Sequence, residues 1–215
     1  MKERKDLMAK ERKLTEKEQI RLERFNEVAA SMEEQGYRKT LLTVSILWAN
    51  VFAIFLLLAV AVIGIVLFVL KYDDPFGKLS ILESVILIII FLALIVIHEL
   101  IHGIGWALFT KDGFKDIEFG VMLDSLTPYC TCSQPLSKGQ YILGAMLPLI
   151  TLGILPMIAG ILIGSFYTMM MGVIMTASAA GDILIVLKIL RYKSRAKDVV
   201  YMDHPTEAGG VIFER

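Results

Sequence analysis

The chain has 215 residues, 56% of them hydrophobic, a mean hydropathy of +0.65 and a formal net charge of zero. This composition excludes an ordinary soluble domain, since the apolar residues are gathered in long blocks, and the neutral charge gives no indication of a nucleic-acid partner. We therefore expect an integral membrane protein embedded in a lipid bilayer.

Residues 1–40 are rich in lysine, arginine and glutamate. Leu22, Phe25, Ala29 and Met32 recur within them at helical spacing, which predicts an amphipathic helix lying on the protein or on the membrane surface. A solvated charged helix with one apolar stripe fits the same spacing, so both interpretations stay open. In either case, residues 1–40 form a predicted N-terminal unit in the cytoplasm.

Four apolar blocks follow, each long enough to cross a hydrocarbon core of about 30 Å. They cover, in rounded bounds, residues 41–70, 81–109, 141–164 and 166–190. Pro148 and Pro156 predict kinks in the third block. The predicted fold is therefore an all-α membrane protein, with four transmembrane helices over residues 41–190 and a cytoplasmic tail over residues 191–215.

The basic residues predict the orientation of these helices. The N-terminal unit carries 11 lysines or arginines, the 111–140 loop three and the end from Lys188 onward six, whereas the 71–80 loop carries two. Alternate sides thus hold 20 and 2 of the 22. The positive-inside rule places both termini and the 111–140 loop in the cytoplasm of a multi-pass protein of the cell membrane.

The second apolar block contains the motif His98-Glu99-Leu100-Ile101-His102. On a helix, His98 and His102 project from one face, one turn apart, so both imidazoles can reach one metal ion. Glu99 projects beside them as a candidate general base. This is the HExxH pattern of zinc hydrolases, and it predicts one zinc ion per chain.

The apolar setting strengthens this interpretation, because ionisable groups inside a bilayer are costly and functional by default. Apart from two residues near helix ends, the interiors of the four blocks contain four such side chains, which are His98, Glu99, His102 and Asp182. Histidines that merely join packed helices by hydrogen bonds are the alternative.

A catalytic zinc ion usually has three protein ligands. Seven residues could supply the third, namely Asp112, Asp116, Glu118, Asp124, Asp182, Asp203 and His204. His102 lies nine residues before Lys111 and Asp182 nine before Arg191, so both sit about 13 Å from the same ends of their helices. Depth therefore favours Asp182, although a helix cap or a proton relay would also explain this aspartate. Asp203 and His204 fit better in a turn that docks the tail.

The motif HELIHGIGW, the loop segment PYC, the proline-containing third block and Gly181-Asp182 resemble a bacterial family described as putative zincin peptidases. They also resemble the site-2 protease type of intramembrane metalloprotease, in which the aspartate usually stands in the order Asp-Gly. The resemblance covers about residues 35–215. It implies a zinc metalloendopeptidase that acts on membrane-protein or peptide substrates.

The loop before the third block contains two β-prone runs, residues 117–123 and 127–132, with Asp124-Ser125 between them. They predict a short hairpin at the mouth of the site. Its exposed edge could hold an extended substrate, and site-2 proteases have such an element. The candidate substrate-binding residues are Phe119, Gly120, Val121 and Tyr129. An ordinary structured loop is the alternative, and Cys130 and Cys132 are expected to be reduced, inert thiols.

Three functions compete for this pattern. The first is intramembrane proteolysis, with Glu99 as the general base. The second is transport of metal ions or protons, but the outer halves of the four helices offer no ionisable relay beyond Glu83 at the rim. The third is a non-catalytic scaffold, against which Glu99 argues, because a degenerate protease would most readily lose its base. The sequence favours the protease and indicates no oligomeric state.

Overall fold

In the computed structural model the protein is mostly helical and contains two small antiparallel sheets. The structure describes residues 14–73, 79–122 and 127–215. The helices are α1 (Glu16–Glu34), α2 (Ile46–Val69), α3 (Ile81–Ala107), α4 (Lys138–Ile163), α5 (Phe166–Ser178) and α6 (Ala180–Arg191). The strands are β1 (Arg38–Thr43), β2 (Ile117–Met122), β3 (Thr127–Cys132), β4 (Leu136–Ser137), β5 (Val199–Asp203) and β6 (Gly209–Glu214).

Within the described residues, three helices, α2, α3 and α4, are long and apolar enough to cross a membrane. The fourth predicted span is a broken one, because α5 and α6 meet at an angle of 48°. Helix α4 is irregular in its middle, where a π-helical stretch, Leu149–Ile154, follows Pro148.

The four-stranded sheet, in the order β1-β6-β5-β4, corrects the prediction of an all-α protein. It takes residues 38–43 from the junction of the predicted N-terminal unit and the first predicted span, and residues 199–214 from the predicted tail. β6 lies between β1 and β5, and its Val211, Ile212 and Phe213 are fully buried. Such β-branched and aromatic residues favour strands, but the polar stretch between β5 and β6 masks the signal in the sequence.

The N-terminal helix lies on this sheet. Phe25 and Ala29 of α1 pack against Met202, Val211 and Phe213, so the apolar stripe covers the protein's own core rather than facing outwards. The helix begins with a capping box between Thr15 and Glu18. Residues 1–13 of the predicted N-terminal unit lie outside the described residues.

The sheet, the hairpin and α1 gather at one end of the helices. β1 leads into α2, β4 leads directly into α4, and α6 leads back into β5. Because these three strands belong to one sheet, they hold the corresponding helix ends together. The β2–β3 hairpin confirms the prediction of a hairpin after the second apolar helix, while its predicted turn at Asp124-Ser125 lies outside the described residues.

We expect Phe213→Ala to destabilise the protein by about 3–5 kcal/mol, since it removes a fully buried ring from the core between α1 and the sheet. Phe114→Ala is the matched control, because the Phe114 ring is 57% exposed. Thermal unfolding in detergent measures both. Equal melting temperatures would contradict the sheet as part of the folded core.

Candidate metal centre

Helix α3 sets the positions of the two motif histidines. A capping box between Ser80 and Glu83 starts this 27-residue helix. The apolar sequence that follows continues it without a break as far as His98 and His102. Both histidines are buried, whereas Glu99 is half-buried beside them.

Asp182 meets the two histidines. The Nε2 atoms of His98 and His102 lie 3.1 Å apart. Asp182 Oδ2 lies 3.3 Å from the first of these nitrogens, and Asp182 Oδ1 lies 3.4 Å from the second. The structure therefore brings together the three residues that depth and motif spacing single out.

These separations fit a tetrahedral metal ion. Two ligand atoms that are each 2.0–2.1 Å from a zinc ion in tetrahedral geometry are about 3.3 Å apart. The His102 Nδ1 atom lies 2.9 Å from the Gly144 carbonyl oxygen, and donating there leaves Nε2 as the atom with a free lone pair. This second contact also fixes the plane of the ring, as carbonyl partners of metal-binding histidines do.

Asp182 owes its position to the break between α5 and α6. It lies in the first turn of α6, where the free N–H groups of a helix start favour a negative charge. The prediction of one helix over residues 166–190 is corrected to two helices that change direction at Ala179. The small residues of the stretch 177–181 permit this change of direction. An aspartate just after such a run was the available signal.

A close crossing of α3 and α4 lies next to the candidate centre and positions His102. A Cβ atom added to Gly105 would lie 2.9 Å from the Gly144 Cα atom, and one added to Gly144 would lie 2.1 Å from the Trp106 ring. The Trp106 indole N–H donates to the Tyr141 carbonyl at 3.1 Å, and its ring stacks on His102 at a centroid distance of 5.3 Å. Glycine at both crossing positions is thus what brings the Gly144 carbonyl within reach of His102.

The other candidate ligands have different partners. The Asp116 carboxylate accepts from the Asp112 N–H and from the Gln134 amide. Glu118 lies on the hairpin, and Asp124 lies outside the described residues.

The two candidates from the tail lie where β5 ends and the next turn begins, as the sequence predicts. Asp203 ends β5, and its carboxylate accepts from the Tyr141 hydroxyl at 2.6 Å and from the Cys132 N–H at 2.8 Å. Burial raises the pKa of Asp203 to about 6, although these two donors oppose the shift. His204 Nδ1 accepts from the N–H groups of Thr206 and Glu207.

A cavity opens onto the candidate centre. His98, Glu99, His102 and Asp182 line its floor, while β3, the segment after β5 and Arg21 of α1 line the rest. Of the four predicted substrate-binding residues, Tyr129 lines this cavity. Phe119 packs instead against Gly103 of α3.

The two remaining predicted substrate-binding residues belong to β2. Gly120 lies beneath the Tyr129 ring, and the Val121 side chain is exposed. Strand β3 therefore forms more of the cavity wall than β2, which reaches the cavity through Met122.

Strand β3 turns one edge away from β2 and towards the cavity. Ser133 N–H donates to the Asp116 carbonyl at 2.9 Å, one step beyond the pair Ile117–Cys132. Because hydrogen-bonded and non-hydrogen-bonded pairs alternate in an antiparallel ladder, the backbone groups of Cys130 and Cys132 point away from β2. We call the side of β3 that carries these groups the outer edge.

The outer edge runs past the motif glutamate. The Cys130 N–H lies beside the Glu99 carboxylate. Pro128 shares the same orientation and has no N–H to leave unpaired, as edge prolines do.

The cysteines contribute apolar packing to this region. Both are buried and free of any disulfide. Burial raises the pKa of the Cys132 thiol to about 12 and raises that of Cys130 as well. Since a thiolate rather than a thiol binds metal, these two side chains fit the inert role expected of them.

Two histidines one helical turn apart, a glutamate between them and a carboxylate opposite make the class of site found in zincins. Residues 91–197 match the sequence profile of a family described as "putative zincin peptidase", and the chain belongs to this family. The matched segment includes the motif, the hairpin and Asp182. No curated protein and no solved structure matches the chain.

We expect Gly144→Ala to destabilise the protein by about 1–3 kcal/mol, because the new methyl group would overlap the Trp106 ring and push α4 away from His102. Gly139→Ala is the control, since a Cβ atom there meets nothing within 4 Å. Thermal unfolding in detergent measures both variants, and equal stability would contradict the tight crossing.

Proposed function

We propose that the protein is a zinc-dependent intramembrane metalloprotease that hydrolyses peptide bonds in or beside transmembrane segments. The observation that carries the proposal is the convergence of His98, His102 and Asp182 at 3.1–3.4 Å within apolar helices. Membership of the zincin peptidase family supports the same class of reaction.

In this proposal His98, His102 and Asp182 hold one zinc ion. When bound, zinc lowers the pKa of a coordinated water towards 7 and polarises the carbonyl of the scissile bond. The buried His98 Nδ1 atom has no hydrogen-bond partner among the residues that the structure describes. The His98 ring can therefore rotate to point its Nε2 atom at the metal.

Glu99 acts as the general base and then as the general acid. Its carboxylate takes a proton from the attacking water and passes it to the nitrogen of the leaving amine. Its place on the cavity floor, directly after His98 and one helical turn from His102, suits this transfer. The nearby Cys130 N–H donates to the Glu99 carboxylate and so keeps it in position between the two steps.

The apolar surface supports placement in a membrane. The most apolar stretches of α2 and α3 are only 11% and 6% buried within the protein, and so large an exposed apolar surface marks contact with lipid. At 1.5 Å per residue, α3 is about 40 Å long, which exceeds the hydrocarbon core. We place the end that carries the sheet, the hairpin and both described chain ends in the cytoplasm, as the basic residues indicate.

The outer edge of β3 offers a way to hold the substrate. A transmembrane helix keeps its peptide groups in its own hydrogen bonds, so it must unwind before hydrolysis. An extended segment added to the outer edge would donate to the Cys130 carbonyl and pass over Glu99. Membrane proteins or peptides that unwind easily are therefore the proposed substrates.

We expect the purified protein to contain about one zinc ion per chain and both His98→Ala and Asp182→Ala to lose it, because each removes a ligand. His204→Ala is the matched control, since that histidine lies in the turn after β5. Elemental analysis of detergent-purified protein, prepared without chelators, measures the metal. Wild-type protein without zinc would contradict the proposal, and retention in Asp182→Ala would exclude that residue as a ligand.

We expect Glu99→Gln to keep zinc but to lose at least about 100-fold in cleavage rate, because an amide cannot take up the proton. Glu83→Gln, at the far end of α3, should cleave normally, since glutamine also completes a capping box. Mass spectrometry of synthetic transmembrane-segment peptides in proteoliposomes detects the products. Wild-type cleavage by Glu99→Gln would remove the general-base role.

A further inference from the structure

A buried arginine from the N-terminal helix lines the same cavity as the candidate centre. Arg21 is only 9% exposed, although α1 lies far from the motif in the sequence and is otherwise highly charged. Its neighbour Arg24, one turn along the same helix, is exposed. The mechanism proposed above makes no use of Arg21.

Two contacts hold the Arg21 side chain in place. Its Nε–H donates to the Pro205 carbonyl in the turn after β5. Its guanidinium group lies over the Tyr129 ring, with Cζ 4.5 Å from the ring centroid, a separation that allows a cation–π interaction. The side chain is therefore positioned from both sides before any ligand arrives.

One end of the guanidinium is left without a partner. The Nη1 atom is buried and has no hydrogen bond among residues 14–73, 79–122 and 127–215. A buried polar group without a partner is destabilising, and a charged one is more so. Such a group in a native protein calls for an explanation, and a bound ion or ligand is one.

One acid in the cavity wall already has hydrogen-bond partners. Asp203 lines the cavity together with Arg21, but one of its oxygens accepts from Tyr141 and the other from Cys132. Within the part of the chain that the structure describes, Arg21 has no ion pair. The charge is thus available to an anion that enters the cavity.

We propose that Arg21 binds a carboxylate group of the substrate and so makes the protein selective for acidic or carboxyl-terminated segments. A guanidinium group presents paired N–H donors in the geometry that a carboxylate accepts. The identity of the ligand as a substrate rests on the proposed function, whereas the binding of a carboxylate by Arg21 does not.

The geometry of β3 indicates where the carboxylate lies. Side chains alternate along a strand, so Tyr129 and Arg21 lie on the face opposite Cys130. Phe119, the partner of Cys130 in the ladder, packs on α3, so the Cys130 face is the one towards the helices. In a segment added to the outer edge, the carboxylate therefore belongs to a residue that points away from α3, or to a chain end at that position.

Binding of defined peptides tests the inference without cleavage. The protein is the full chain with Glu99→Gln, which prevents turnover. The probes are fluorescent nonapeptides of valine and leucine that differ in a central glutamate or glutamine, and in a free or amidated C-terminus. Fluorescence anisotropy in detergent gives each dissociation constant.

We expect a peptide with one carboxylate to bind at least about tenfold more tightly than the neutral, amidated peptide, as a charge-assisted hydrogen bond implies. Arg21→Met should abolish this preference, and Arg21→Lys should keep part of it. Arg24→Met, the matched exposed arginine, should keep all of it. Preference for the central glutamate identifies a side chain as the source, whereas preference for the free C-terminus identifies a chain end.

Equal binding of all four peptides by the protein with Arg21 intact would overturn the proposal. Weaker binding of the neutral, amidated peptide by Arg21→Met would also overturn the proposal. A loss of affinity for a peptide without a carboxylate would show that Arg21 is a structural residue of α1. Failure of the protease proposal has a different signature, because it appears in zinc content and cleavage while the carboxylate preference persists.

Discussion

The hydrogen bond between His102 and the Gly144 carbonyl depends on how closely α3 and α4 can approach. Gly105 and Gly144 remove the side chains that would otherwise separate the two backbones. The contact orients the imidazole towards Asp182 and His98. In apolar surroundings a histidine that turned away would leave polar nitrogens unpaired, so the crossing secures both the packing and the geometry of the centre.

The second constraint is the break at Ala179. A continuous helix would satisfy its own N–H groups and offer nothing to an acid in its interior. By starting a new helix at Ala180, the chain gives Asp182 a favourable electrostatic position while the residue stays deep in the apolar region. A packed crossing and a helix start thus bring together groups from two distant parts of the chain.

The sequence was informative wherever the signal was local. The motif at His98 and His102, the depth of Asp182 and the two β-prone runs of the hairpin can all be read from local residues and their spacing, and the structure places these residues accordingly. The four-stranded sheet could not be read in the same way, because β6 pairs with β1 across most of the chain. Its strands are short and are separated by polar residues, and such pairing depends on partners that no local pattern reveals.

Arg21 was missed for the same reason. In the sequence it is one cation among many in a charged helix, and only the docking of Phe25 and Ala29 on the sheet turns it inwards. Tyr129 was selected as a hairpin residue, without any indication of the helix that lies against it.

Because the chain is synthesised from its N-terminus, α1 can dock only late in synthesis. The surface that receives α1 is formed by Met202, Val211 and Phe213, which leave the ribosome after all the helices. Until these residues are made, the first helix has no sheet to lie on and the cavity has no wall on that side. The centre would therefore be assembled while its access is still unrestricted, and selection between substrates would begin only when the two distant strands close over it.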